Sequence, residues 1–180
     1  LKAPSYITIA NLPLTLKPGT SEFLKIELDA KVIDTVGLVS GEIGLKTNDK
    51  FYAKKSVKYA ADFVQDFSKL TKKELKRAPQ LYVSNQVLDM GNMKSGEVKT
   101  KTITIGNKGK QPLKIQRVET DCMCAILNNL PPEINPGEQF TISASFDSLY
   151  KKGLQRKGIT LFTNDPKNPR FIVTVRSVVN

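Results

Sequence analysis

Leu130-Pro131-Pro132-Glu133-Ile134-Asn135-Pro136-Gly137 opens a stretch that runs through an alternating strand to Phe146-Asp147, then Gly153-Leu154, Gly158-Ile159-Thr160-Leu161 and Thr163-Asn164-Asp165. An earlier version occupies Leu12 to Asp49. It reads Leu12-Pro13, Leu16-Lys17-Pro18-Gly19, an alternating strand ending at Leu28-Asp29, Gly37-Leu38, Gly41-Glu42-Ile43-Gly44-Leu45 and Thr47-Asn48-Asp49. Both versions keep turn, strand, glycine loop, strand and turn in that order, and a two-residue shift between the strands is all the alignment needs. Self-similarity at this spacing marks a duplicated β module, so two domains are expected from the 180 residues.

The strand pattern extends outward from the repeat. In the first copy Tyr6-Ile7-Thr8-Ile9-Ala10 alternates ahead of the Pro18-Gly19 turn. Leu24, Ile26 and Leu28 share one face with Lys25 and Glu27 on the other, and Ile43, Leu45, Val57, Tyr59 and Ala61 continue the period of two. The second copy carries more. Leu81-Tyr82-Val83, Val87 to Gly91 and Val98 to Asn107 precede its shared part, and Asn107-Lys108-Gly109-Lys110 reads as a hairpin turn with glycine at a positive φ. Leu113 and Ile115 are expected to point inward, with Val118 inward again after a bulge. Phe140, Ile142, Ala144, Phe146, Ile159, Leu161, Phe171, Val173 and Val175 complete the expected core, and about seven short strands suggest an aligned sandwich. The first copy matches only the back half, so about 37 residues of leading strands are expected before Leu1 by analogy.

Between the copies, residues 64–80 leave the β pattern. Thr71-Lys72-Lys73-Glu74 fits a capping box, and Ala78-Pro79 stops a helix, which predicts a short helix over Lys72–Arg77. The expected domains are therefore an incomplete module at 1–66, a basic helical linker at 67–80 and a complete module at 81–180. The linker places Lys69, Lys72, Lys73, Lys76 and Arg77 against Glu74 alone, making it the candidate partner-binding patch for an acidic surface. The net charge of +11 is otherwise spread along strands in which lysine alternates with apolar residues, as in Lys99, Lys101, Ile103 and Ile105. That is a solvated sheet face, and nucleic-acid binding is not expected.

No histidine occurs, which removes Ser-His-Asp triads, Cys-His nucleophile pairs and histidine metal ligands together. No paired-carboxylate constellation stands out either, so no catalytic residue and no cofactor are expected. No apolar run reaches the roughly 18 residues needed to span a bilayer as a helix, and Leu1 is not followed by a signal-peptide pattern.

Asp89-Met90-Gly91, Gly96-Glu97, Asn107-x-Gly109, Gln111-Pro112-Leu113-Lys114-Ile115, Val118, Cys122-Met123-Cys124, Pro136-Gly137-Glu138, Phe146-Asp147 and Thr163-Asn164-Asp165 together resemble a known family. It is the bacterial immunoglobulin-like family of unknown function with a Ser-Cys-Gly-Cys-Thr signature, similar to Hydin-type and major-sperm-protein-type sandwiches. The match covers about 78–180 and, for the back half alone, about 12–63. Asp121, Met123 and Ala125 depart from the signature, where serine, glycine and threonine are usual. The resemblance implies an extracytoplasmic, non-enzymatic module in the periplasm or at the outer-membrane surface of a Gram-negative bacterium, often lipid-anchored or in tandem copies.

The cysteines keep three readings open. In an extended segment Cys122 and Cys124 project to one face with Cα atoms about 6.5 Å apart, near the upper limit for a bridge. They could be structural thiols, free or bridged; a soft-metal site for copper(I) with Met123, lacking further ligands; or a redox pair. The first copy has Tyr6 opposite Cys124 and no cysteine. The chain is thus expected to be an all-β pair of tandem immunoglobulin-like sandwiches, the first lacking its leading strands, joined by a short helix. Its expected role is a structural or protein-binding component of an envelope assembly, with other envelope proteins as partners by strand addition to the first module. The alternative is thiol or copper(I) handling, and self-association is left open.

Overall fold

The computed structural model describes residues 2–33 and 35–180. Strands take 51% of the residues and helix 3%, so the protein is all but entirely β. The chain divides into two compact units, Leu1–Phe63 and Val64–Asn180, and residues 67–80 group with the second.

The first unit contains β1 (Ile7–Ile9), β2 (Ile26–Leu28), β3 (Gly37–Lys46) and β4 (Lys54–Phe63). Here β1 pairs antiparallel with β2, and β3 with β4, as separate two-stranded sheets. Ile7, Ile9 and Ile43 are buried, with Ala3, Tyr6, Leu24, Leu45 and Tyr59 packed around them. The Tyr6 and Tyr59 hydroxyls share a hydrogen bond of 2.7 Å, which holds the Tyr59 phenol above its ordinary pKa.

The second unit begins with α1 (Lys72–Arg77), followed by β5 (Leu81–Val83), β6 (Val87–Met93), β7 (Val98–Asn107), β8 (Leu113–Thr120), β9 (Ala125–Asn128), β10 (Glu133–Ile134), β11 (Gln139–Asp147), β12 (Gly153–Thr163) and β13 (Arg170–Val179). The helix starts as its sequence dictates. The Thr71 side chain accepts from the Glu74 amide, and the Glu74 carboxylate accepts from the Thr71 amide at 2.8 Å. The Thr71 hydroxyl also donates to the Glu74 carboxylate at 2.6 Å, and this bond first, then that from the Thr71 amide, draws the Glu74 pKa down.

Two sheets face each other, one of order β10-β8-β12-β13-β6 and one of order β5-β7-β11-β9. All pairings are antiparallel except β13 with β6, which closes one edge in parallel. The alternation read from the sequence buries Ile142, Ala144 and Phe146 of β11 against Ile159 and Leu161 of β12 and Val173 and Val175 of β13. Burying each such aliphatic or aromatic side chain stabilises by about 1.5–3 kcal/mol, so this core is what holds the unit.

Four expectations need correction. Phe140 is 39% exposed: it lies next to the end of β11, three residues beyond Ser143 where the pairing with β9 stops, so only β7 flanks it there. Val118 lies opposite Leu161, on the core side after the predicted bulge, yet is also 39% exposed. Residues 107–110 are not a hairpin turn, since β7 and β8 belong to different sheets. Gly109 is needed there for space and not for a positive φ. A Cβ on it would stand 2.6 Å from Gln80 N and Pro79 Cα.

Candidate functional site

The two copies can be laid strand on strand. In the first unit Ile7 pairs with Leu28 and Ile9 with Ile26; in the second Ala125 pairs with Phe146 and Leu127 with Ala144. In the same way Gly37 pairs with Phe63 and Ile43 with Val57, as Gly153 pairs with Val179 and Ile159 with Val173. Thus β1, β2, β3 and β4 repeat β9, β11, β12 and β13 in unchanged register. Counterparts of β5, β6 and β7 are not found among the described residues of the first unit. A single bridge, Lys2 to Gly44, lies where β8 runs beside β12.

Two features follow, an unpaired strand edge and a leucine-lined groove. In the second unit β11 is covered on one side by β9 and on the other by β7 along its whole length. Among the described residues of the first unit β2 pairs with β1 alone. The Lys25 carbonyl accepts from the Ala10 amide and the Asp29 amide donates to the Tyr6 carbonyl, so odd-numbered residues of β2 face β1. The backbone groups of Ile26 and Leu28 therefore face the opposite, unpaired side. Leu24, just before β2, lines a groove of about 480 Å³ together with Leu12, Leu14, Leu16 and Leu45. Three of these are counterparts of Ile134, Ile142 and Leu161, which are at most 1% exposed in the second unit, whereas Leu16 is 54% exposed. The groove is the half of a core that the described residues of the first unit leave unfilled.

The cysteine segment forms a turn and not an extended strand. Cys122 and Cys124 are joined in a disulfide with Cα atoms 5.2 Å apart, closer than the roughly 6.5 Å of a strand because the Ala125 amide folds back toward the Cys122 carbonyl at 3.5 Å. The turn carries the chain from β8 in one sheet to β9 in the other. Asp121 fastens its entrance, its amide donating to the Gly158 carbonyl at 3.1 Å and its carboxylate accepting from the Gly158 amide at 2.6 Å. Met123 stands at the tip, 97% exposed, while Cys122 and Cys124 are half-buried against the core. A copper(I) site of Cys122, Met123 and Cys124 needs both thiolates, so it concerns only the reduced chain. Among the described residues no cluster of three or more His, Cys, Asp or Glu could hold a metal.

The basic patch is divided by its helix. Lys73 and Arg77 line a cleft of about 730 Å³ with Phe67, Leu70, Pro79 and Asn164. Lys76 instead lines a groove of about 390 Å³ with Lys108, Lys110 and Lys167, three cations the sequence reading did not group with it. Lys69 and Lys72 line neither. The sequence offered a signal in Asn107-Lys108-Gly109-Lys110 and Asp165-Pro166-Lys167, but only the fold brings those loops to α1. The Lys108 ammonium also stands 3.7 Å from the centre of the Tyr82 ring, a cation–π contact. No helix among the described residues is long and apolar enough to cross a membrane.

The fold has known likenesses. A crystal structure of a protein of unknown function from Porphyromonas gingivalis W83 is similar over 99% of this chain and 82% of its own, with a TM-score of 0.70 at 20% identity. A PapD-like domain of human CEP192 is similar over 64% of this chain and 96% of its own, with a TM-score of 0.47 at 11% identity. No curated protein sequence matches the chain. Residues 81–179, from the first strand of the second unit to the end of the last, match the family described as protein of unknown function (DUF1573). The sandwich that carries the cysteine turn and the basic loops is that family's domain, and the chain belongs to the DUF1573 family.

Proposed function

We propose that this chain is a non-enzymatic structural or protein-binding component of a bacterial envelope assembly, and that it engages its partners by accepting a β-strand at the first unit. One observation carries the reading. Among the described residues the first unit repeats β9 and β11–β13 register for register, yet the edge of β2 that corresponds to the β7 side of β11 has no partner strand, and Leu24, just before β2, lines a leucine-rich groove. An exposed edge beside unfilled core is the arrangement that strand addition completes, with main-chain hydrogen bonds giving affinity and alternate side chains giving specificity. The completed copy indicates the incoming chemistry: β7 lies antiparallel to β11 and presents Ile103 and Ile105 to the core. That strand gives the first unit a counterpart of β7, a step toward the tandem of two sandwiches that the repeat implies, with α1 and its flanks lying between the modules in sequence. The extracytoplasmic location, in the periplasm or on the outer membrane with peripheral or lipid-anchored attachment, rests on the family resemblance, as does the kinship with Hydin-type and major-sperm-protein-type domains.

The test uses a labelled peptide of the β7 sequence, Val98–Asn107, as probe. It is expected to bind the full chain, and Ile26→Pro is expected to abolish binding. The Ile26 amide faces the open edge, so the proline removes a docking donor without removing a bond to β1. Equal binding to both proteins, or none to either, contradicts the proposal. Fractionation of the source cells tests the location separately.

A further inference from the structure

The corner that holds the disulfide is built twice in this chain, once without sulfur. In the second unit the Ala125 amide turns toward the Cys122 carbonyl at 3.5 Å, and the Asp147 amide donates to the Cys124 carbonyl at 2.8 Å. In the first unit the Ile7 amide donates to the Pro4 carbonyl at 3.0 Å, and the Asp29 amide to the Tyr6 carbonyl at 2.9 Å. The offset that carries Ile7 onto Ala125 carries Pro4 onto Cys122, Tyr6 onto Cys124 and Asp29 onto Asp147, so these are the same two contacts. Pro4-Ser5-Tyr6 makes the turn, its exit bond and the strand that follows with no bridge.

The disulfide is therefore not what the corner requires. Nor is it placed as a staple, because a bridge between residues so near in sequence removes little freedom from the unfolded chain. The surrounding contacts are independent of sulfur. Asp121 and Gly158 bond in both directions through backbone and carboxylate, and Asp147 bonds to a carbonyl. Meanwhile the turn is accessible, with Met123 fully outside and each cysteine only partly covered. Accessible disulfides exchange more readily than buried ones, and this bridge is partly open to solvent.

We propose that Cys122–Cys124 is a thiol–disulfide exchange site whose reaction partner is a dithiol. A thiolate of the dithiol attacks one sulfur of the bridge; a new S–S bond forms, the Cys122–Cys124 bond breaks, and the displaced cysteine thiolate takes a proton from solvent. The second thiolate of the dithiol then attacks the mixed disulfide and closes its own disulfide. The second cysteine leaves as a thiolate and is protonated in turn. Two electrons pass from the dithiol to this chain, and the reverse sequence reoxidises it. This inference is independent of strand docking, since it concerns the second unit alone.

The experiment treats the full chain with dithiothreitol and then with oxidised glutathione, reading the bridge by mass after thiol alkylation and the fold by thermal melting. The expected result is reduction of the native protein, return of the same intramolecular bridge, and a melting shift of the second unit below about 5 °C. The Cys122→Ser/Cys124→Ser variant is expected to fold with a shift in the same range. Resistance to dithiothreitol until the chain unfolds, a larger melting shift, failure of the bridge to re-form, or failure of the double variant to fold each overturns the proposal.

Discussion

The two copies differ most informatively at one aspartate. Asp165 and its counterpart Asp49 close the same turn: Thr163 and Thr47 hydroxyls accept from their amides at 3.1 and 3.3 Å, and their carboxylates accept from the Lys167 and Phe51 amides at 2.8 and 2.9 Å. The other carboxylate oxygen separates them. In Asp165 it reaches the Leu81 amide of β5 at 2.9 Å and is buried, tying the first strand of the sandwich to its last hairpin. In Asp49 it meets the Lys55 ammonium at 2.8 Å, exposed to solvent. The same turn thus closes a sandwich when β5 is beside it, and remains a surface ion pair when it is not.

The largest effect belongs to the filled core. Phe146→Ala is expected to destabilise the second unit by about 3–5 kcal/mol in urea unfolding, whereas Leu28→Ala at the matching, half-buried position costs the first unit well under that. Equal losses would contradict the difference in packing between the two matching positions.

Next comes Asp165→Ala, which leaves the Leu81 amide buried without a partner and is expected to cost about 1–3 kcal/mol. Asp49→Ala, by contrast, leaves melting almost unmoved because exposed pairs contribute little. Gly109→Ala follows at about 1–3 kcal/mol, since its Cβ would press on the Pro79–Gln80 backbone.

The smallest effect is in acid. The Lys55 ammonium, followed by the Tyr52 and Phe51 amides, draws the Asp49 carboxyl down to about 2. Its folded pKa lies below the unfolded value, so its contribution is present above roughly pH 4 and is lost as pH falls through about 2. Lys55→Met is expected to raise the Asp49 pKa toward the ordinary range, followed by NMR titration. An unchanged pKa would remove the ammonium as the cause.

Much of the fold is legible in the sequence because its signals are local. A period of two is written in Ile142, Ala144 and Phe146, a capping box in Thr71 and Glu74, and the duplication in Pro18-Gly19 and Pro136-Gly137. What escapes is set by distant partners. Nothing near Gly109 announces the Ala78–Gln80 backbone lying against it, and nothing near Phe140 says that β9 stops short. The cysteine turn was hidden because alternation carries on to Thr120 and does not show where the chain changes sheets. Of the candidate site, the open half of the first module is readable from the repeat; the grouping of Lys76 with Lys108, Lys110 and Lys167 needs the fold.

Amide exchange along β2 reads the openness of its edge residue by residue. In the 180-residue chain alone, the Ile26 and Leu28 amides are expected to exchange far faster than those of Ala144 and Phe146, their counterparts covered by β7, and to slow when the Val98–Asn107 peptide is added. Protection equal to that of Ala144 and Phe146 before any peptide is present, or no change on its addition, contradicts an edge that waits for a strand.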